Sequence, residues 1–538
     1  MRKTAAINIF LTFILLITAI SCKKSTDEFS VTANEIEAHI RFLSDDLLEG
    51  RAVGSRGIEI AALYQENYFR SLGLEPLFGG SYLQEVTLKG CTPDRNASFE
   101  IFSESDPVNQ KYQINEDFVV TSFREDNPEG VEGEIVYCGY LIQAPERDWD
   151  DIKGTDLKGK VLLVEINEPG NYPEGLFDGE DMTYYGRWVY KYEKASELGA
   201  LGVLIIHNTK GAAYGWEVVK SSNNKESFFL PEKQTSLFFQ GWMHGQTADV
   251  IIGEAGFDHP QLREQAETTD FKPVPLGINA RVRQKVTYRT VRSNNVAALL
   301  KGTHKNKKDK YIILSAHYDH LGKDESLEGD KIYNGAVDNC SASACLLSLA
   351  RYYSTRPQDL KVDLVFAAVT AEEEGLLGSD YFARHLPFSN GEVLANLNFE
   401  MANVWGETKE VYTIGGKHSD LDEVCAAAAD AIGVEYIPER NGELGYFFRS
   451  DQLSFARAGI PAVWLHEGIT SRGEDPDFIM TKTREYRQSK YHNVADEIEA
   501  SWDLGGTVQI IRWAHEIIKI LQDMDVLPQF KPTSSFKR

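Results

Sequence analysis

Downstream of residue 287 the chain sets four apolar runs of strand length, 311–316, 361–369, 394–399 and 462–465, among helix-length segments at 341–353, 376–385 and 507–521. Each run leads, at once or within three residues, into a histidine or a carboxylate. Strands that read as continuously apolar and alternate with helices predict an α/β domain with a mostly parallel central sheet flanked by helices. Sheets of that kind present ligands at the carboxyl ends of their strands, where the polar clusters stand.

The first run enters His317-Tyr318-Asp319, which puts an imidazole and a carboxylate on one side of the chain, two residues apart. His317 can bind a metal through one ring nitrogen while Asp319 accepts a hydrogen bond from the other. Gly335-Ala336-Val337-Asp338-Asn339 opens the helix at Ser341, and the two oxygens of Asp338 suit a bridge between two ions. The second run ends in Thr370-Ala371-Glu372-Glu373-Glu374, where one glutamate can coordinate while its neighbour addresses a water. Glu400 follows the third run, and Tyr491-His492-Asn493-Val494-Ala495-Asp496 supplies a last imidazole. Singly, a Glu-rich turn is an ordinary solvated loop and a lone histidine an ordinary structural residue. Repeated at strand ends, they point to a metal centre built from imidazole and carboxylate, a donor set that suits several divalent ions.

Ala316-His317-Tyr318-Asp319-His320, Ala336-Val337-Asp338-Asn339 and Ala371-Glu372-Glu373-Glu374-Gly375-Leu376 resemble, in order, the motifs of the co-catalytic dizinc aminopeptidases and glutamate carboxypeptidase-like metallopeptidases. The resemblance continues through Arg449-Ser450-Asp451, Gly459-Ile460-Pro461-Ala462 and Tyr491-His492, covering most of residues 34–525. It implies two zinc ions, one held by His317 and Glu400, the other by Glu373 and His492, with Asp338 bridging. It also implies Glu372 as general base, Tyr491 as a donor to the developing oxyanion, and a cis peptide between Asp338 and Asn339. Two positions depart from the pattern: Glu400 stands where Asp is usual, and Cys340-Ser341-Ala342 opens the following helix, with Cys340 expected as a packed thiol rather than a ligand. Arg449 is open to two readings, a contact with a substrate carboxylate or backbone carbonyl, or a structural salt bridge. His320, His466 and Glu467 are expected only to line the cleft.

At 538 residues the chain exceeds what one core usually organises, so a second domain is expected. Helical periodicity fills 35–48 and 57–72, with Asn34 as a candidate N-cap and Gly73 as a stop. From about residue 130 the pattern turns to strands, 134–140, 160–166 and 203–207, with a helix near 189–198. Asp156-Leu157-Lys158-Gly159-Lys160-Val161-Leu162-Leu163-Val164 followed by Gly202-Val203-Leu204-Ile205-Ile206 resembles the β-rich protease-associated domain found inserted in exopeptidases. The expected division is a discontinuous peptidase domain at 34–128 and 287–525, an insert at 129–286 and a C-terminal tail at 526–538.

The amino terminus carries its own signal. Arg2 and Lys3 precede an apolar run from Ile9 to Ile20 and then Ser21-Cys22, which reads as an export leader over residues 1–21. Ala19-Ile20-Ser21-Cys22 resembles a bacterial lipoprotein cleavage box, so the expectation is an envelope lipoprotein anchored through Cys22 by a tether at 22–33, or else a secreted protein. A formal charge of −25 disfavours nucleic acid as a partner. The five cysteines besides Cys22 lack paired spacing and are expected to be buried thiols. Peptide is the expected substrate, cut at its amino end. The competing readings are a carboxypeptidase of the same family, a single-zinc glutaminyl cyclase on this scaffold, and a receptor-like binding module on an inactive peptidase fold.

Overall fold

A computed structural model describes residues 29–538 except 104–109, 127, 129, 171–174, 234, 304–306 and 308. The expected leader, Cys22 and most of the tether lie outside the described residues. A ten-stranded sheet organises the larger unit. Its centre runs Asp363–Val369, Tyr311–His317, Val393–Asn398, Ala462–Glu467 in spatial order, all paired in parallel.

Alternate side chains of these strands enter two separate cores. Ile312, Leu314, Leu364 and Phe366 pack on one face beneath the helices Ala33–Leu43, Arg56–Ser71, Ala342–Ser354 and Gly505–Leu521. Ile313, Val365 and Ala367 pack on the other beneath Leu377–Arg384 and Gln452–Arg457. Burial on both faces is why these strands read as unbroken apolar runs. The parallel arrangement stops at this centre. Leu83–Pro93 and Val286–Leu300 extend it antiparallel on one side, and Glu410–Ile414 joins Ala462–Glu467 antiparallel on the other.

The amino-terminal helical run breaks in two. Thr32, not Asn34, caps Ala33–Leu43, its hydroxyl accepting from the Glu35 amide. A 3-10 turn at Asp46–Arg51 then bends the chain before Ser55 caps Arg56–Ser71. Gly73, at φ 74°, ends that second helix as expected.

An eight-stranded second sheet runs Gln110–Tyr112, Ser98–Phe102, Val274–Arg283, Gly130–Tyr137, Val161–Glu165, Gly202–His207, Phe239–His244, Phe118–Thr121. Its helix Trp188–Glu197 lies where the periodicity puts one. Three strands upstream of residue 129, Ser98–Phe102, Gln110–Tyr112 and Phe118–Thr121, belong to this sheet, and Ser227–Phe229, inside the expected insert, pairs instead with Leu83–Pro93 of the larger sheet. Partners such as Phe99 and Val282 are so far apart in sequence that local pattern could not assign them. The two units touch through Met182 N–H donating to Gly442 O (3.2 Å), Lys417 to Asp181 (2.9 Å) and Arg457 to Glu193 (2.7 Å). A second set of contacts joins Lys233 to Asp380 and Arg384 to Glu232, both at 2.7 Å.

The residues expected as a tail are docked: Phe536 is buried among Phe447, Phe448 and Trp464, and Arg538 donates to the carbonyl of Val393. Cys91, Cys138, Cys340, Cys345 and Cys425 are all buried and unpaired. No described helix is long and apolar enough to cross a membrane.

Candidate metal centre

The parallel strands aim their carboxyl ends at one place. His317 is the last residue of its strand, Glu400 comes two residues after Asn398, and Glu372 and Glu373 occupy the turn that follows Val369. Asp338 lies in the irregular turn ahead of Ala342–Ser354, and its peptide bond to Asn339 is cis, as the family resemblance implies. Asp496 fastens that turn from below: its carboxylate accepts the amides of Val337 and Asp338, both at 3.0 Å, and the Tyr486 hydroxyl at 3.0 Å. Gly335 enters the turn at φ 58°, where a Cβ would come within 2.2 Å of the Asp338 carbonyl oxygen.

The five expected ligands converge. His317 Nε2 lies 3.0 Å from Glu400 Oε1 and 3.4 Å from Asp338 Oδ1. His492 Nε2 lies 3.2 Å from Glu373 Oε2 and 3.3 Å from Asp338 Oδ2. The two oxygens of Asp338 thus face two different histidine and glutamate pairs. Oδ1 is buried without a hydrogen bond, although burial of an unsatisfied carboxylate oxygen is costly. That orphaned oxygen, with neutral-capable imidazoles and carboxylates around it, fits a divalent cation better than it fits a hydrogen-bonded core.

His320 is nearer than the sequence indicates. Its Nδ1 is 2.7 Å from Glu373 Oε1, its Nε2 is buried without a partner, and it groups with Asp338 and Glu373 as a second potential ligand set beside His317, Asp338 and Glu400. The strand-end position of His320 was the available signal. Asp319 corrects its expected role: the carbonyl oxygen of Asp319, at 3.2 Å, faces His317 Nδ1, while its carboxylate is 3.8 Å away. That carboxylate instead accepts the amides of Glu372 (3.1 Å) and Glu373 (3.2 Å), fixing the turn that carries both glutamates. Ser450, part of the Arg449-Ser450-Asp451 motif but given no role from the sequence, donates to Glu400 Oε2 at 2.7 Å and is itself held by Asn398.

Glu372 is buried beside His317, 3.8 Å from its Nε2. Tyr491 is 42% exposed and stacks its ring on His492 at 3.9 Å. Partial burial and the nearby Asp338 and Glu373 carboxylates hold its phenol well above the ordinary range, so it keeps its proton. Cys340 is a packed thiol, pushed up to about 11 by burial. His466 and Glu467 stand apart, the former facing a backbone carbonyl and the latter accepting the Asn403 amide. Arg449 makes no salt bridge among the described residues, and its Nε and Nη2 are buried without a partner.

The neighbouring charges sort the cluster into groups of opposite tendency. For Asp338, burial opposes ionisation, but the imidazoles of His317, His492 and His320 that face it outweigh burial and keep the carboxylate well below its usual range. Glu373 sits at about 2, because His492 and His320 overcome burial and the repulsion of Asp338. Glu372 goes the other way, raised well above the carboxylate range by burial and by Glu400, Glu373 and Asp451. His492 is raised to about 10 by Glu373 and Asp338 against the effect of burial.

Residues 295–515 match the profile of peptidase family M28. Among curated proteins, aminopeptidase YwaD of Bacillus subtilis (strain 168) is 27% identical over 352 residues, which covers 64% of this chain and 58% of that protein. A probable zinc metalloprotease of Pyrenophora teres f. teres is 33% identical over 112 residues, 21% of this chain and 23% of the relative. The chain thus spans less than two thirds of the curated relatives it matches. Among solved structures, an aminopeptidase from Aneurinibacillus sp. strain AM-1 is 23% identical with a TM-score of 0.48, covering 89% of this chain and 93% of its own. A zinc aminopeptidase from Bacillus subtilis is 19% identical with a TM-score of 0.41, covering 92% and 95%. The region that matches the peptidase family M28 profile contains every residue of the convergent cluster, from His317 to His492.

Proposed function

We propose that this protein is a zinc-dependent aminopeptidase that removes residues from the amino ends of peptides and holds two metal ions. The observation that carries the reading is Asp338, whose two oxygens face separate pairs, His317 with Glu400 and His492 with Glu373. The relatives named aminopeptidase and zinc metalloprotease support the choice of metal and of peptide end.

Zinc, when bound, supplies a Lewis acid that polarises the scissile carbonyl and favours ionisation of water. The chain's own residues do the rest. Glu372 takes the proton of the attacking water and returns it to the leaving amine, a role suited to a carboxylate whose proton affinity burial has raised. Tyr491, protonated and beside His492, donates its phenolic hydrogen to the oxygen that gains charge at the cleaved carbonyl. Asp319 holds the Glu372-Glu373 turn, and Ser450 holds Glu400, so the longer side chain at that position is fixed in place.

Export as an envelope lipoprotein anchored at Cys22 is part of the proposal, supported by Arg2, Lys3, the Ile9 to Ile20 run and Ser21-Cys22. The second sheet is taken as an inserted protease-associated unit on the Asp156 to Val164 and Gly202 to Ile206 segments. The decisive experiment is elemental analysis of the purified chain coupled to amino acid release from a mixed peptide set before and after chelation. About two zincs with chelator-sensitive release from the amino end is the expected result. Release from the carboxyl end would transfer the reading to a carboxypeptidase, and absence of metal and of release would sink it.

A further inference from the structure

Arg187 immediately precedes the helix Trp188–Glu197 of the second unit, and Arg449 ends the 3-10 turn Tyr446–Arg449 of the peptidase unit. Arg187 is only 8% exposed, yet its guanidinium makes no ion pair or hydrogen bond among the described residues, and its Nε is fully buried and unsatisfied. Arg449 is in the same condition, with Nε and Nη2 buried and unpartnered. The Tyr446 ring lies 6.0 Å from its guanidinium carbon.

The two groups share surroundings. Each acts on the other's neighbour Tyr214, and Arg449, after burial itself, lowers Arg187 to about 10 by repulsion. Buried arginines are ordinarily paired, because an uncompensated guanidinium loses its hydration and gains nothing in return. Two of them placed together add mutual repulsion, in a chain whose formal charge is −25 and which has acidic groups to spare. The planar guanidinium fork is the side chain best shaped for a carboxylate.

The location ties the pair to the reaction. Ser450, the residue after Arg449, donates to Glu400 at 2.7 Å. Met182 N–H, five residues before Arg187, donates to the Gly442 carbonyl, and the Met182 sulfur lies where a Cβ on Gly445 would meet it at 2.9 Å, so the 182–187 stretch is seated on the loop that carries Arg449.

We propose that Arg187 and Arg449, one from each unit, form a subsite beside the metal cluster that binds a carboxylate of the peptide substrate. The carboxylate comes either from an acidic side chain of the substrate or from the free carboxyl end of a short peptide. This deepens the aminopeptidase reading and rests on it for the identity of the ligand. It also gives the second unit a part in substrate selection, since half of the subsite belongs to it.

The test uses the full zinc-loaded chain and two matched peptide pairs. Glutamyl-alanine amide against glutaminyl-alanine amide reports a side-chain carboxylate; leucyl-alanine against leucyl-alanine amide reports the terminal one. The expected result is a kcat/KM preference of at least about tenfold for the acid member of one pair, the size of a charged hydrogen-bonded contact. That preference falls to within about threefold of unity in Arg187→Gln and in Arg449→Gln and largely survives in Arg187→Lys. The thermal midpoint of Arg187→Gln is not expected to fall, because the substitution removes an unpaired buried charge. No preference in either pair, or a preference that survives both glutamine substitutions, overturns the proposal. If none of the four peptides is cleaved, the peptidase reading fails, and the same pairs are compared by calorimetric binding. Acid-selective binding lost in Arg187→Gln then still supports the subsite, and equal affinity for acid and amide overturns it.

Discussion

Glu372 and Glu373 are neighbours in sequence, share a turn, and are driven to opposite protonation tendencies. Glu373 is held at about 2 by His492 and His320, whereas burial and surrounding carboxylates raise Glu372 far above the usual range. Two carboxylates pushed apart in this way divide into a metal ligand and a proton carrier. Glu372→Gln is therefore expected to lower kcat by about a hundredfold or more while leaving zinc content unchanged, which kinetics and elemental analysis check on the same sample. Ser450→Ala removes the hydroxyl that fixes Glu400 and is expected to weaken zinc binding by about ten- to a hundredfold, read by competition with a chelator. The five residues of the candidate metal centre and Glu372 were legible in the sequence because each is a chemically distinctive residue, three of the ligand positions and Glu372 standing at the end of an apolar strand or close after it. Ser450 and Asp319 were not: a serine looks the same whether it orients a ligand or meets solvent, and the choice between the carbonyl and the carboxylate of Asp319 is a matter of side-chain direction.

At the level of elements, the metal site depends on a few turns rather than on the strands. Gly335 takes φ 58° with no room for a side chain, and Asp496 grips the two amides that follow. Gly335→Ala is expected to cost about 1–3 kcal/mol in unfolding free energy and to lower zinc occupancy together with it, measured by denaturant unfolding and metal analysis. The strands and their flanking helices followed from apolar continuity and helical period. The break at Ser44 within the first helical run did not, because its periodicity carries across a bend that the packing of Leu48 and Arg51 imposes. Arg51 is nearly fully buried, and its Nε donates to the Tyr318 carbonyl at 2.8 Å.

For the molecule as a whole, stability is linked to acid through three buried histidines kept neutral in the fold. Burial lowers His39 to about 4, His466 to about 4 and His418 to about 3. The unfolded chain takes up protons near pH 6.5 that these three folded imidazoles refuse, so their contribution to stability is full above about pH 6.5 and declines as the pH falls toward about 4. Urea unfolding at pH 7 and pH 5 reads that contribution by difference: on going from pH 7 to pH 5, His418→Gln should lose less stability, or gain more, than the parent chain. Net charge, composition and the alternation of strands and helices determined from sequence alone that this is a large α/β protein with a metal centre at its strand ends. That was possible because hydrophobic period and ligand chemistry are local properties of the chain. The tertiary structure alone decided that the second sheet draws strands from both sides of the expected boundary, that His320 joins the cluster, and that the stretch leading into Arg187 is seated on the loop that carries Arg449. Each of these is a contact between residues distant in the chain, set by how two packed units settle against one another, and no local pattern encodes it.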